Sequence, residues 1–226
     1  MICKCDNCDL KTIFYNSFKG KELEYYCNSR VEVKVAPKEI IFEQGTEIKD
    51  FMYLKEGLVK LFRTGNNGKS QIISFGKPMD FVSIQSIFSS KKYNYSVQAL
   101  EDSVVCTLDF DAIKNLIKVN GNFAISLIKQ MSLSYDRITM NSLDLLQKRL
   151  YGKVAHVLIY FANQVYYNDE YLLPISRKDI SDYIGMSVEN VIRAISEFRK
   201  DKIIKVYGKT IEIINKKKLQ IISDRS

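Results

Sequence analysis

The side chains best suited to chemistry are Glu189 and Arg193, four residues apart in the last fifth of a 226-residue chain. An Arg can give two parallel hydrogen bonds to guanine O6 and N7, and a Glu accepts from the cytosine N4 amine, so the pair suits base edges in a DNA groove. Arg177, Ser187, Val188, Asn190 and Lys209 surround them as further candidates for phosphate or base contact. The second reactive set is thiol. Cys3, Cys5 and Cys8 crowd the first residues, Cys27 follows, and Cys106 stands in an apolar run. The one histidine, His156, lies in VAHVLIYF and reads as a helix-face residue rather than a ligand. There is no phosphate loop, nucleophile elbow or metalloprotease helix, and no acid or base group accompanies the thiols, which argues against an enzyme.

Positioning Glu189 and Arg193 requires a presented helix. SRKDISDYIGMSVENVIRAISEFRKD predicts two short helices around Gly185, where a turn needs a residue free to adopt positive φ. Ser176 and Ser187 are spaced to cap the two starts, with Asp179 three residues after the first. Ser181 is small enough for a close helix crossing, and Val191 can pack into the angle. Ile180, Ile184, Val188, Val191, Ala194, Ile195 and Phe198 supply apolar faces at helical spacing. This is helix-turn-helix grammar, with helix 187–200 as the reader. Ile203–Val206 and Thr210–Ile214 around Tyr207-Gly208-Lys209 predict a β-hairpin wing, with Lys200, Lys202, Lys205 and Lys209 suited to phosphate.

Charge agrees. From Lys148 onward there are 15 basic and 9 acidic side chains, and the first 147 residues hold 19 and 17, so most of the formal +8 sits beside the proposed reader. Basic surface supplies sequence-independent DNA affinity. No apolar run spans a bilayer and the first residues lack a signal peptide's apolar region, so the expectation is a cytoplasmic protein without membrane contact. Cysteines there are thiols or ligands rather than structural disulfides.

Between Val31 and Leu108 the chain reads as short strands, EVKVAP, EIIFEQG, FMYLKEG, LVKLFRTGNNG, QIISFG, VQALEDS and VVCTLDF, with Asn67-Gly68 marking a hairpin. Such spacing predicts a small sandwich or barrel. Asn120–Gln147 then predicts one long helix. Ile128, Met131, Tyr135, Ile138, Ser142 and Leu145 alternate by three and four as an uncharged coiled-coil seam, pointing to a homodimer that forms without ligand. Residues 148–165 predict a further apolar helix, and Tyr166–Leu173 a loop or short strand. The expected organisation is α+β: a β-roll over 1–119, a dimerisation helix over 120–147 and a winged helix-turn-helix over 148–226.

The order β-roll, long helix, winged helix resembles the Crp/Fnr family of bacterial transcription regulators over nearly the whole chain. DISDYIGMSVENVIRAISEF carries the family's Glu and Arg at Glu189 and Arg193, and VQALEDSVVCTLDF looks like the Fnr branch with its cysteine at Cys106. The resemblance implies double-stranded DNA and RNA polymerase as partners and a GA-containing half-site in an inverted repeat. It also departs: the Fnr branch has a Ser just before the Arg, and here that residue is Ile192. Members that bind cyclic AMP carry a Gly-Glu pair and an Arg for the phosphate. DFVSIQSIFSSKKYNYSVQALE has neither, so cyclic AMP is not expected.

The Fnr branch implies a [4Fe–4S] cluster on three N-terminal cysteines and a central one. Cys5, Cys8 and Cys106 match, Phe14 stands where the third N-terminal ligand belongs, and Cys3 is the substitute, with Cys27 further away. Cys3, Cys5, Cys8 and Cys106 thus form the candidate ligand set for Fe–S, or for zinc, or they are unligated thiols. The reading kept beside DNA binding is a ligand-sensing β domain whose C-terminal domain contacts protein.

Overall fold

The computed structural model describes residues 30–225, which divide into two compact units, one ending at Ile138 and the other starting at Thr139. The N-terminal unit is an antiparallel β sandwich. One sheet has the order β1-β7-β3, from β1 (Val31–Val35), β7 (Ser103–Asp109) and β3 (Asp50–Glu56). The other has the order β2-β6-β4-β5, from β2 (Ile40–Phe42), β6 (Ser96–Ala99), β4 (Val59–Thr64) and β5 (Ser70–Gly76). The predicted strands correspond to these seven. The hairpin around Asn67-Gly68 joins β4 to β5, with Thr64 opposite Ser70.

Side chains of β3 alternate between two cores, as strand geometry dictates. Met52 and Leu54 face the space between the sheets with Val59, Leu61, Val97 and Val105. Phe51 and Tyr53 face the other way, joining Cys106, Leu108, Phe81, Ile84 and Ile87. Helix α1 (Phe110–Val119) closes this second core with Ile113 and Leu116. Helix α2 (Gly121–Gln147) adds Phe123 and Leu127, with Met131 packed at the edge. Asp109 caps α1 by accepting from Ala112 N at 2.7 Å. Between β3 and β4, Gly57 sits at φ +89° with the Asp102 carbonyl oxygen 2.5 Å and Ser103 Cα 2.7 Å from where a Cβ would stand.

In the C-terminal unit, α3 (Leu150–Tyr160) is apolar nearly all round, with Val154, Ala155, Val157 and Leu158 fully buried. The predicted helix over 148–165 does not stay α-helical. Phe161–Val165 is a π-helical turn, and the Tyr166 N–H reaches back to the Phe161 carbonyl at 3.0 Å. The wider turn lets the Tyr166 ring stack on Phe161 and Tyr171, with centroids 6.5 and 5.5 Å away. Helices α4 (Arg177–Ile184) and α5 (Val188–Lys200) follow, then β9 (Ile204–Tyr207), β10 (Thr210–Ile213) and α6 (Lys216–Arg225). The segment before α4 is a short strand, β8 (Glu170–Leu172), which completes a three-stranded sheet of order β8-β10-β9. No helix among the described residues is long and apolar enough to cross a membrane.

Candidate nucleic-acid interface

Local chemistry fixes both helix starts. The Ser176 hydroxyl accepts from Asp179 N at 3.0 Å while the Asp179 carboxylate accepts from Ser176 N at 2.9 Å, a complete capping box. Ser187 caps α5, accepting from Asn190 N at 3.3 Å. Gly185, at φ +68°, ends α4 with its N–H and that of Met186 both on the Ser181 carbonyl. Ser181 and Val191 are buried in the angle between the helices, as their sizes and spacing require.

One face of α5 is therefore committed. Val191, Ala194, Ile195 and Phe198 point inward. The opposite face presents Glu189, Arg193, Ser196, Glu197 and Lys200, all exposed. Glu189 lies in the first turn, where free N–H groups favour an anion. Its carboxyl is held below the usual carboxylate range by a backbone hydrogen bond at its own position and by the Ser187 hydroxyl. The Arg193 guanidinium donates to Asn190 Oδ1 at 2.6 Å. Val188 and Asn190 are half-buried. Arg177 opens α4 half-buried, and burial lowers its guanidinium from the ordinary value, still far above neutrality.

Lys209 occupies the tip of the β9–β10 hairpin and is exposed. Its carbonyl accepts from Leu173 N at 3.0 Å, tying the tip to the segment leading into α4. Lys205, expected to serve phosphate, pairs across the hairpin with Glu212 at 3.3 Å. Lys200, Lys202 and Lys209 have no ion pair among the described residues. A groove of about 480 Å³ runs between α5 and the hairpin, lined by Ser196, Arg199, Lys200, Lys205 and Tyr207 among others. Ser196, Arg199 and Tyr207 were not singled out from the sequence. The signal available was the basic last turn of α5, Arg199-Lys200.

Of the six positions of the predicted seam on α2, Ile128, Tyr135 and Ser142 are exposed. Met131 and Ile138 are half-buried and Leu145 is buried, so these three are covered partly or wholly by their own chain. Ile125, Ser132 and Leu146 are also exposed and, with half-buried Thr139, continue the line of Ile128, Tyr135 and Ser142 at alternating steps of three and four.

Cys3, Cys5, Cys8 and Cys27 lie outside the described residues. Cys106 lies in β7, opposite Tyr53 and Glu32, and has no exposed surface. Burial pushes its thiol up to about 11, while a hydrogen bond with the Tyr53 hydroxyl and the nearby Arg30 guanidinium pull the other way. Arg30 is itself buried, donating to Tyr53 at 2.7 Å and to Glu32 at 2.6 Å. Among the described residues no group of three His, Cys, Asp or Glu is placed to hold a metal ion. In the N-terminal unit a cavity of about 180 Å³ is lined by Asp80, Phe81, Ile84, Gln130, Ser134 and Arg137 among others. Arg137 there is paired with the Asp80 carboxylate at 2.7 Å.

Residues 32–120 match the family profile of the cyclic nucleotide-binding domain, and residues 152–222 that of the Crp-like helix-turn-helix domain. The chain is 30% identical over 183 residues to the fumarate and nitrate reduction regulatory protein of Yersinia pestis, covering 79% of this chain and 73% of that one. It is 25% identical over 215 residues to the regulatory protein HlyX of Actinobacillus pleuropneumoniae, covering 92% and 89%. FixK2 of Bradyrhizobium japonicum has a similar fold, with TM-score 0.77 at 21% identity over 87% of this chain and 98% of that one.

Proposed function

The chain belongs to the Crp/Fnr family of DNA-binding transcription regulators, and from that premise we propose that it acts as a homodimer reading a GA-containing inverted repeat with α5. The observation that carries this reading is the capped, outward face of α5, with ionised Glu189 and a braced Arg193 on adjacent turns. Arg193 reads guanine and Glu189 the cytosine N4 amine. Ser187, Val188 and Asn190 border those bases, and Arg177 and Lys209 contact phosphate. Regulation through RNA polymerase is the corresponding output.

The dimer is proposed along α2. The contact line keeps Ile128, Tyr135 and Ser142, and exchanges Met131, Ile138 and Leu145 for Ser132, Thr139 and Leu146, with Ile125 at its start. The support is the apolar surface left in water there: Ile128 is 56% exposed and Leu146 76%. Burial of such groups is the driving force for a coiled-coil seam.

Titration of the full-length chain against inverted-repeat and random duplexes tests the reading. Preference for the repeat, steep weakening with salt and sedimentation as a dimer at micromolar concentration are expected. Equal affinity for both duplexes, or a monomer, contradicts it. Salt-insensitive association would instead favour a protein-contact role for the C-terminal unit.

Cyclic AMP does not suit the cassette. Asp80 brings a carboxylate, Arg137 is engaged by it, and the space is smaller than the roughly 300 Å³ at which ligand pockets begin. A redox input is favoured instead by the N-terminal thiols and by the relative named for fumarate and nitrate reduction. Cys3, Cys5, Cys8 and Cys106 would hold a [4Fe–4S] cluster, which when bound supplies redox-sensitive chemistry. Of that set Cys106 is among the described residues, and Arg30 and Lys55 are the cations that favour its thiolate, against burial and Glu32. About four irons per chain after anaerobic purification is the expected result. An iron-free dimer that still binds the repeat overturns it.

A further inference from the structure

Ile192 is 50% exposed on the outer flank of α5. It stands three residues after Glu189 and one before Arg193. At 3.6 residues per turn it lies about 60° round the helix from Glu189, on the side away from Arg193. The packed stripe of α5 is complete without it, since Val191, Ala194, Ile195 and Phe198 already fill the interior. Its neighbours on the outer face, Glu189, Arg193 and Ser196, are polar and exposed. A β-branched side chain at an exposed helix position also gives up some helix propensity. Neither packing nor propensity accounts for it.

The major groove offers such a side chain one partner. Among the groups that base pairs present there, the thymine C5-methyl is apolar, and the others donate or accept hydrogen bonds. Resting on the DNA-reading role of α5, we propose that Ile192 is a specificity-determining residue that recognises a thymine methyl in a base pair beside the one read by Glu189 and Arg193. A hydroxyl at this position, as in the Ile192→Ser variant, could bond to any base edge. An isoleucine leaves polar edges unpaired and rewards the methyl, so it narrows the position to thymine.

The test uses the full-length chain and a duplex it selects from a pool of inverted repeats with GA-containing half-sites. Symmetry-related thymines are replaced one pair at a time by deoxyuridine, which removes the methyl and leaves base pairing intact, and Kd is measured by fluorescence anisotropy. At one pair the wild type should weaken by about fourfold per half-site, the value of one buried methyl-sized group. Ile192→Val should keep that loss, and Ile192→Ser should bind thymine and uracil duplexes equally. If every uracil duplex binds the wild type as tightly as the thymine duplex, the proposal fails. It fails equally if Ile192→Ser shows the wild-type loss. Arg193→Ala separates the two readings. Sequence preference that depends on Arg193 but not on any methyl removes the Ile192 role alone. The absence of any preferred duplex removes the reading of α5 as well.

Discussion

Arg193 is held by Asn190: its guanidinium donates to the Asn190 Oδ1 at 2.6 Å, one turn back along the same helix. Asn190 is in turn tied to the start of α5, because its N–H donates to the Ser187 hydroxyl. Cap, amide and guanidinium form one series that holds Arg193 on the outer face of α5. Arg193→Ala should cost about 1–3 kcal/mol on the cognate duplex and relax preference at the base it reads. Asn190→Ala, which removes a surface i,i+3 contact, should cost only about 0.2–0.5 kcal/mol. Anisotropy titrations on cognate and random duplexes check both, and equal losses on the two duplexes would contradict base reading.

The two helices of the motif end differently, and their ends should respond in opposite directions. Gly185 takes its left-handed conformation without strain, and nothing lies within 4 Å of where its Cβ would be. Gly185→Ala therefore isolates the backbone term, about 1–2 kcal/mol of destabilisation. Lys202 occupies the matching place after α5 at φ +55°. The Lys202 N–H bonds the Arg199 carbonyl at 3.0 Å and the Ile203 N–H bonds that of Phe198 at 2.8 Å, the pattern that usually ends in glycine. Lys202→Gly should stabilise by up to about 1 kcal/mol. Amide exchange of α4 and α5 in the full chain reads both changes.

Gly57 combines both penalties. Its φ is +89°, and an added Cβ would meet the Ser103 hydroxyl and the Asp102 carbonyl. These are groups of the β7 approach, which cannot move without disturbing the sheet. Gly57→Ala should cost roughly 3 kcal/mol. A thermal midpoint within a degree of wild type would contradict the close approach.

His156 gives the C-terminal unit an acid-sensitive joint. Its Nε2 lies 2.8 Å from Asn141 Oδ1, and the Asn141 amide bonds to the Tyr183 hydroxyl. Burial lowers its pKa, Lys148 lowers it further, and the Asp144 and Asp224 carboxylates oppose them. With the folded value below the unfolded one, the unfolded chain takes up the proton first. Stability is thus full above about pH 6.5 and declines as pH falls below it. Thermal unfolding across pH 7 to 5 should show a shallower decline in His156→Gln than in wild type. Parallel curves would assign the decline to carboxylates elsewhere.

The strands and the helix-turn-helix were legible because local signals coincide with burial there. Glycines fall between alternating runs, and Ser176, Asp179, Gly185 and Ser187 each make the bond their spacing implies. The phase of α2 was not legible. Its apolar residues occupy two adjacent lines, and steps of three and four fit both. Only the packing of Phe123, Leu127 and Met131 on the β unit decides which line stays outside. The π-helical turn depends on ring stacking with Tyr171, remote from Phe161 in sequence. The burial of Arg30 depends on Tyr53, and no local pattern marks it. Ile192 was visible as an oddity, and its exposure is what gives it meaning.

The hairpin is not a loose arm. Thr210 and Ile211 are paired with Leu172 and Tyr171 of β8 on one side and with Tyr207 and Val206 of β9 on the other. Together with the bond from Leu173 to the Lys209 carbonyl, this anchors the tip to the strand from which α4 departs. A surface assembled in advance loses little conformational freedom on association, and it cannot deform to rescue a poor fit. The C-terminal unit should therefore discriminate through misfit: on a duplex whose backbone is wrongly placed for Lys209, α5 loses its seat as well.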